Sequence, residues 1–391
     1  MTIRLRLLAA IGLFWMGLYV YVPILTPYAV KLGGTTAEVG LVVAAYGVPQ
    51  LTLRILLGMW ADRLGRMRPF MIAGFVLVMG SSLGMAFVSN PALVAAFRLV
   101  SGIAASMWTM FTIAYALLNP ASNHAGSMGW VIFANSLGQV AAALLSSVLV
   151  SWLGLRAPFE ASVVLAFLGT LLVMTLAVPT SDPPPSPKIV RSWFHLVRYP
   201  SILQSSVLGA LLQGVSFITT YGYVPLLAVH VGVPRPLLGL LLALGLIPTI
   251  PMSVVTGSWL ARRFSSTRLM VVGFAVTSVC VILTPMTAHV LVMLFVLQAI
   301  LGGARGMVSP LLMAWSIRDV AISQRTTAMA TYQSLYAVGM IFGPVLAAGA
   351  VGLWGLRAAF VLAMLLALLG VGVATTIGLH LKHAKLINHH V

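Results

Sequence analysis

The sequence predicts an all-α membrane protein with twelve transmembrane helices, arranged as two parallel, pseudo-symmetric halves of six. Three observations predict this fold class. First, 60% of the 391 residues are hydrophobic and only 7% are charged, whereas soluble domains carry about a quarter charged residues. Second, apolar runs of the roughly 20 residues that span a bilayer follow one another almost end to end. Third, short motifs of the first half recur in the second half at a nearly constant distance along the chain.

The composition also limits the class of partner. A chain with so few charged side chains cannot face water on all sides, so we expect the lipid bilayer to surround it. A formal net charge of +17 suggests nucleic-acid binding in a soluble protein. No short run of this sequence is rich in Lys and Arg, however, and we expect no nucleic-acid partner. We expect a monomer in the cell membrane that acts on a small molecule.

The apolar segments divide the chain into a first half (residues 1–178), a Pro-rich linker (179–200) and a second half with a short basic tail (201–391). The linker contains Asp182-Pro-Pro-Pro-Ser-Pro187, which favours a stiff polyproline conformation. The residues after it are compatible with a short interfacial helix or with a disordered loop. The predicted spans are Leu7–Val30, Glu38–Gly58, Pro69–Ser89, Ala92–Leu118, Met128–Trp152, Ala157–Val178, Ser201–Val229, Leu237–Leu260, Leu269–Met286, His289–Trp315, Thr327–Leu353 and Ala358–Leu379.

Basic residues are distributed unevenly between the predicted loops. With both termini inside, 15 of the 22 Lys and Arg residues lie in cytoplasmic segments and four lie in external loops. An excess of Lys and Arg marks cytoplasmic loops, so the positive charge indicates topology. The cytoplasmic set is Arg4, Arg6, Arg63, Arg66, Arg68, Lys188, Arg191, Arg198, Arg262, Arg263, Arg268, Arg318, Arg325, Lys382 and Lys385, and the external set is Lys31, Arg156, Arg235 and Arg357.

Short motifs of the first half recur in the second at a nearly constant distance along the chain. The matched motifs are Tyr21-Val-Pro-Ile-Leu25 with Tyr223-Val-Pro-Leu-Leu227, Pro49 with Pro248, Gly58 with Gly257, Trp60 with Trp259, Gly102 with Gly302, and Gly154-Leu-Arg156 with Gly355-Leu-Arg357. These matches indicate a tandem duplication of a six-helix unit. Because each unit has an even number of spans, the two copies are expected to be parallel, as in transporters built from such repeats.

The loop between spans 2 and 3 reads Gly58-Met-Trp-Ala-Asp62-Arg63-Leu-Gly65-Arg66. Gly58 allows two helices to approach closely, Asp62 can accept from the amides at a helix N-terminus, and Gly65 permits a tight turn. The loop resembles the signature of the major facilitator superfamily. The resemblance implies a latch in which Asp62, flanked by Arg63 and Arg66, contacts the start of span 11 near residues 326–327. The second copy has Ala261 in place of the acid.

Two further segments bear on the subfamily. Arg98-Leu-Val-Ser-Gly102-Ile-Ala-Ala105 in span 4 resembles the second signature of the drug-exporter branch with twelve spans, which implies export. That branch also carries a Gly-Pro pair in span 5. Here span 5 has Gly138-Gln139, and a Gly-Pro pair occurs in span 11 as Gly343-Pro344. The family resemblance covers the whole chain, and the subfamily resemblance rests on these two segments.

Three arginines fall within the predicted spans, away from the two acids at span ends, Glu38 and Glu160. Arg54 lies one turn from the predicted end of span 2, where we expect it to extend toward the interface. Arg98 is placed to reach Glu38, and Arg305 lies near the middle of span 10. An arginine at the centre of a span costs about 2.5–3.5 kcal/mol on insertion scales and usually marks a site. All five acids lie at span ends or in loops, which leaves no tunable carboxylate in the core.

The resemblance implies a substrate cavity between the halves, lined by spans 1, 4, 7 and 10 with contributions from 2, 5, 8 and 11. For each polar residue there, interhelical packing is the competing interpretation. The sequence indicates no catalytic residue, metal site or cofactor. The candidate cavity residues are Tyr19, Gln50, Arg98, Trp108, Asn135, Gln139, Gln213, Tyr221, Gln298, Arg305, Gln333 and Tyr336.

Three functions fit the sequence. The first is secondary transport of a small amphipathic or hydrophobic molecule by alternating access, in the outward direction that the exporter-like segment implies. The second is uptake or facilitated passage of an organic anion or metabolite, in line with the arginines. The third is a receptor or lipid scramblase that retains the fold without coupled transport, in line with the lack of acids in the core.

The charge distribution generates a prediction about topology. Both termini and the linker are expected to face the cytoplasm, because the basic residues concentrate on that side. Reporter fusions placed in the linker and at His390 measure this directly. An external signal at either position contradicts the number of spans.

Overall fold

The computed structural model describes residues 2–118, 124–178, 198–320 and 325–388. Within these segments twelve helical stretches are long and apolar enough to cross a membrane, so the predicted fold class is confirmed. The helices of the first half are Ile3–Tyr19 and Val22–Lys31 (span 1), Glu38–Ala45 and Gly47–Leu64 (span 2), Arg68–Phe87 (span 3), Pro91–Ser106 and Trp108–Leu117 (span 4), His124–Leu153 (span 5) and Ala157–Met174 (span 6).

The second half follows the same order. Its helices are Pro200–Ile218, Thr219–Tyr223 and Val224–His230 (span 7), Leu237–Leu246, Thr249–Val255, Thr256–Leu260 and Ala261–Arg263 (span 8), Ser266–Thr287 (span 9), Leu291–Ser316 (span 10), Arg325–Trp354 (span 11) and Arg357–Asn388 (span 12). The last helix continues to Asn388, beyond its predicted end at Leu379, because no Gly or Pro interrupts the basic tail. Residues 179–197 of the linker lie outside the described segments.

Side-chain contacts bring the span ends together at two opposite faces of the bundle. At one face Arg4 donates to the Leu118 carbonyl oxygen at 2.9 Å through Nη2, and Arg68 donates to the Met174 carbonyl oxygen. Span 1 begins and span 6 ends at this face, and we call it the linker end because the linker follows span 6 in the sequence. At the opposite face, which we call the distal end, the Tyr28 hydroxyl donates to the Met85 carbonyl oxygen at 3.1 Å.

Proline interrupts the helices at equivalent positions of the two halves. Span 1 breaks just before Pro23, and span 7 widens into a π-helical turn just before Pro225. Proline has no N–H to donate to the carbonyl four residues earlier, so Tyr19 and Tyr221 lose their regular partners. The duplicated Tyr-Val-Pro motif therefore places an irregular turn in both spans.

The two halves approach closely at the distal end through glycine. A Cβ atom on Gly40 of span 2 would lie 2.3 Å from the carbonyl oxygen of Pro344 in span 11. A Cβ atom on Gly239 of span 8 would lie 2.1 Å from the carbonyl oxygen of Ala143 in span 5. Neither distance leaves room for a side chain, so the backbones of facing spans are in contact. The distal end is therefore closed between the halves.

This packing generates a prediction for Gly40→Ala. The added methyl group overlaps span 11, and overpacking of this kind typically costs about 1–3 kcal/mol, so we expect a lower midpoint of thermal unfolding in detergent. Gly80→Ala in span 3 is the matched control, because a Cβ atom there meets no atom within 4 Å. Equal midpoints for the two variants are incompatible with close contact of spans 2 and 11.

Candidate functional site

A cavity with a volume of about 270 Å³ lies between the two halves. This volume is slightly below the range of roughly 300–1,000 Å³ for drug-sized ligands, so it suits a small molecule. Spans 1, 2, 4, 5, 7, 8, 10 and 11 contribute side chains, in agreement with the expected arrangement. The lining residues are Trp15, Tyr19, Tyr46, Gln50, Arg54, Trp108, Asn135, Ser136, Gln139, Gln213, Phe217, Tyr221, Leu246, Thr249, Arg305, Gln333, Tyr336 and Met340.

The structure brings ten of the twelve candidate residues to this cavity and places two of them elsewhere. Arg98 and Gln298 do not line it. The ten that do are Tyr19, Gln50, Trp108, Asn135, Gln139, Gln213, Tyr221, Arg305, Gln333 and Tyr336.

Arg98 is buried behind the cavity wall, with 5% of its surface exposed. It donates to the Tyr21 hydroxyl at 3.0 Å, and its guanidinium lies 4.1 Å from the centre of the Tyr46 ring. The proposed pairing with Glu38 was wrong, since that carboxylate accepts from the Thr35 amide at 2.7 Å. Arg98 therefore supports the wall by holding the Tyr46 ring, which itself faces the cavity.

Gln298 occupies the position in span 10 that matches Arg98 in span 4, given the repeat of Gly102 as Gly302. It is 1% exposed, and its Oε1 accepts from the Thr220 hydroxyl at 3.4 Å. The side chain therefore links spans 7 and 10 within one half. Gln298 is therefore an interhelical packing residue and not a cavity residue.

Arg54 lines the cavity. It does not extend toward the membrane surface, contrary to the prediction. Its helix continues to Leu64, which places Arg54 roughly 15 Å from the helix end at about 1.5 Å per residue. The side chain is 3% exposed. Its guanidinium donates to Gln50 of the same helix and to the carbonyl and amide oxygens of Gln333 in span 11, each at 3.4 Å.

Arg305 faces the cavity from span 10 and also binds neighbouring helices. It donates to the Tyr221 hydroxyl at 3.0 Å and to the Gly245 carbonyl oxygen at 3.0 Å. Arg305 is therefore both a cavity residue and a link between helices. Tyr221 in turn packs edge-on against Tyr19 of the other half, with ring centres 6.0 Å apart, so the arginine orients an aromatic contact between the halves.

The cavity carries an uncompensated positive charge. None of the described side chains that line it is acidic. Of the acids with described side chains, Glu38 and Glu160 lie in the first turns of spans 2 and 6, and Asp319 lies between spans 10 and 11. Arg318 donates two hydrogen bonds to Asp319, which lowers the pKa of that carboxyl group. The two cavity arginines have no such partner among these acids.

Aromatic rings form much of the remaining wall. Trp15 and Trp108 meet edge to face with ring centres 5.2 Å apart. Sequence reasoning missed Trp15 and seven other lining residues, although most stand four residues from a candidate, the spacing of neighbours on one helix face. The missed residues are Trp15, Tyr46, Arg54, Ser136, Phe217, Leu246, Thr249 and Met340.

The predicted latch is only partly within the described part of the molecule. Gly65 has a φ angle of +60°, as the tight turn requires, and Arg66 is exposed. The side chains of residues 58, 62 and 63, and those of residues 325 and 326 at the start of span 11, lie outside the description. The contact of Asp62 with span 11 therefore stays a prediction.

The sequence profile of the Major Facilitator Superfamily matches residues 7–234 and, in a second match, residues 207–385. The chain belongs to the major facilitator superfamily. It is therefore a multi-pass membrane transporter and not an enzyme. The two matches overlap at residues 207–234, and each covers one half of the internal repeat. Membership of the drug-exporter branch stays a prediction.

Similarity to individual proteins is distant. The inner membrane transport protein YajR of Escherichia coli strain K12 is 26% identical over 171 residues, which are 43% of this chain and 36% of YajR. The chain thus matches just over a third of the length of that relative.

Solved structures align over nearly the whole chain, and at such low identity they show the fold alone. A bacterial homolog of the human lysosomal transporter Spinster has a TM-score of 0.78 at 16% identity, covering 95% of both chains. The nucleoside transporter NupG has a TM-score of 0.74 at 17% identity, covering 98% of this chain and 100% of NupG. The human organic anion transporter MFSD10 has a TM-score of 0.64 at 18% identity, covering 95% and 98%.

Proposed function

We propose that this transporter moves a small amphipathic molecule that carries an anionic or hydrogen-bond-accepting group, by alternating access between its two halves. The observation that carries the proposal is the pair of guanidinium groups, Arg54 and Arg305, in a cavity without a described acidic side chain. A cation entering this site meets like charge in a low-dielectric surround, where Coulomb repulsion is poorly screened. A carboxylate or phosphate meets donor forks of matching geometry.

The rest of the wall suits the apolar part of such a molecule. Trp15, Trp108 and Phe217 supply flat apolar surface, and Gln139 and Gln213 supply amide groups that can donate or accept. Aromatic walls with a few polar groups are typical of sites for small organic ligands. NupG and MFSD10 are described as nucleoside and organic anion transporters, and both substrate classes combine a hydrogen-bonding group with an organic framework.

The proposed direction is outward, supported by the resemblance of residues 98–105 to the exporter signature. Uptake of an organic anion or metabolite is the second candidate. It is favoured by span 5, where Gly138 packs on the backbone of Gly12 and is followed by a cavity residue, Gln139, instead of the proline that the exporter branch carries. In either direction of transport the closed distal end must open and the linker end must close. The Gly58–Arg66 loop is the proposed latch of the state in which the linker end is closed.

The charge of the cavity generates a prediction about substrate class. Proteoliposomes with the native protein are expected to take up 2-naphthoate faster than neutral 2-naphthamide and to exclude 2-naphthylmethylammonium. Arg305→Gln should lower uptake of 2-naphthoate roughly tenfold, the effect of losing a hydrogen bond to a charged group. Arg305→Lys, which retains the charge, should lie in between. Fastest uptake of the cation, with the same ranking in Arg305→Gln, contradicts the proposal.

The absence of acids among the described lining residues generates a second prediction. Arginine keeps its proton at physiological pH, and none of the described lining side chains is a carboxylate that could load one. Uptake of 2-naphthoate is expected to respond weakly to an imposed pH gradient, and imposed sodium gradients serve as the comparison. A steep requirement for a pH gradient that survives the combined Glu38→Gln, Asp62→Asn and Glu160→Gln substitutions overturns this prediction. Lipid movement without 2-naphthoate uptake favours the scramblase alternative.

A further inference from the structure

Arg54 forms a polar contact between the two halves at the wall of the cavity. It belongs to span 2, and its partner Gln333 belongs to span 11. The same two spans close the distal end, where Gly40 lies against Pro344 and Gly47 lies against Ile341. The contact of Arg54 therefore lies at the linker side of the interface that holds the halves together.

The hydrogen bonding of Arg54 is incomplete. Both contacts with Gln333 measure 3.4 Å, longer than the usual 2.7–3.2 Å of N–H···O hydrogen bonds, and Nε is buried without a partner. Its acceptors, the oxygens of Gln50 and Gln333, are all neutral. A buried charge with only neutral acceptors is poorly stabilised, so an anion that reaches this guanidinium competes well with Gln333.

The equivalent interface between spans 5 and 8 has no counterpart of this contact among the described side chains. The repeat places Ser253 at the position of Arg54 and Ile132 at the position of Gln333. Ser253 donates within its own half, to the carbonyl oxygen of Gly306 at 3.0 Å, and Ile132 is an apolar side chain with 46% of its surface exposed. The arginine contact is thus specific to one of the two interfaces.

We propose that Arg54 couples substrate recognition to the separation of the halves, an inference that rests on the proposed anionic substrate. The anionic group replaces the Gln333 oxygens on the Arg54 guanidinium and thereby removes the polar contact between spans 2 and 11. A ligand shifts a conformational equilibrium only through a difference in affinity between the two states. Here the difference arises because the closed interface competes with the ligand for the guanidinium and the open one does not.

Gln333 variants of opposite character test this competition. Gln333→Glu places a carboxylate beside Arg54 and should pair with it permanently. The affinity of the full-length protein for 2-naphthoate, measured by calorimetry in detergent, is expected to fall roughly tenfold or more, with 2-naphthamide little affected. Gln333→Leu, the matched control, removes the competing amide and should retain or raise the affinity for 2-naphthoate. Arg54→Gln should reduce the preference for 2-naphthoate over 2-naphthamide to the part that Arg305 supplies.

A second readout reports the opening of the distal end. Ala348 lies against Gly40 at the closed interface and is 8% exposed, so a cysteine there reacts slowly with a maleimide while the interface is closed. In a Cys280→Ala background, 2-naphthoate should accelerate labelling of Ala348→Cys. Gln333→Leu should accelerate it without ligand, and Gln333→Glu should keep it slow in both conditions.

The outcomes separate the two proposals. If the native protein does not prefer 2-naphthoate to 2-naphthamide, the proposed substrate class is wrong and the role of Arg54 falls with it. If the native protein has this preference and Arg54→Gln leaves it undiminished, only the role of Arg54 is wrong. Equal losses of affinity in Gln333→Glu and Gln333→Leu, or labelling that ignores 2-naphthoate in the native protein, also overturn the coupling.

Discussion

The organisation of this transporter depends on one constraint: a polar group inside the bilayer must find its partner within the protein, because lipid offers none. The three arginines within the spans meet this constraint in different ways. Arg98 has an aromatic ring and a hydroxyl as partners and is removed from the cavity. Arg305 has a hydroxyl and a backbone carbonyl and remains at the cavity wall. Arg54 has only the oxygens of two glutamine residues, and one of these residues belongs to the other half.

The two copies of the six-helix unit share the backbone features that form the site, and they differ in the side chains that determine its chemistry. The repeated prolines interrupt spans 1 and 7 at the same depth, so both halves offer irregular turns to the cavity. At one pair of equivalent positions the first half has Tyr46 and the second has Gly245. The Tyr46 ring covers Arg98, whereas Gly245 has no side chain and leaves its carbonyl free to accept from Arg305. The copies also differ at the arginines themselves, since Gln298 occupies the position of Arg98 and Ala105 occupies the position of Arg305.

The closed distal end and the cavity are parts of one interface. Spans 2 and 11 touch through backbone atoms near Gly40 and through the guanidinium of Arg54 nearer the linker end. Backbone contacts of this kind do not respond to a ligand, but a charged side chain does. Under the proposed coupling, the arrangement combines a rigid closure with one contact that a bound anion replaces, and the ligand then shifts the equilibrium between the two states.

The sequence by itself determined the class of fold, the number of spans, the duplication and the membership of the family. These features depend on length, hydropathy and repeated Gly and Pro residues, which act locally or along one helix. It also indicated most of the cavity, since ten of the twelve polar and aromatic candidates line it, although interhelical packing accounts for Gln298.

Only the tertiary structure decided the roles of the arginines. Whether Arg54 lies at the membrane surface or at the cavity depends on how far its helix continues. Whether Arg98 faces the cavity depends on the side on which Tyr46 packs. Both are set by contacts between residues far apart in the chain, such as Arg54 with Gln333. Hydropathy places a residue along the membrane normal and carries no information about rotation of the helix or about its neighbour, so this part of the site required the packed bundle.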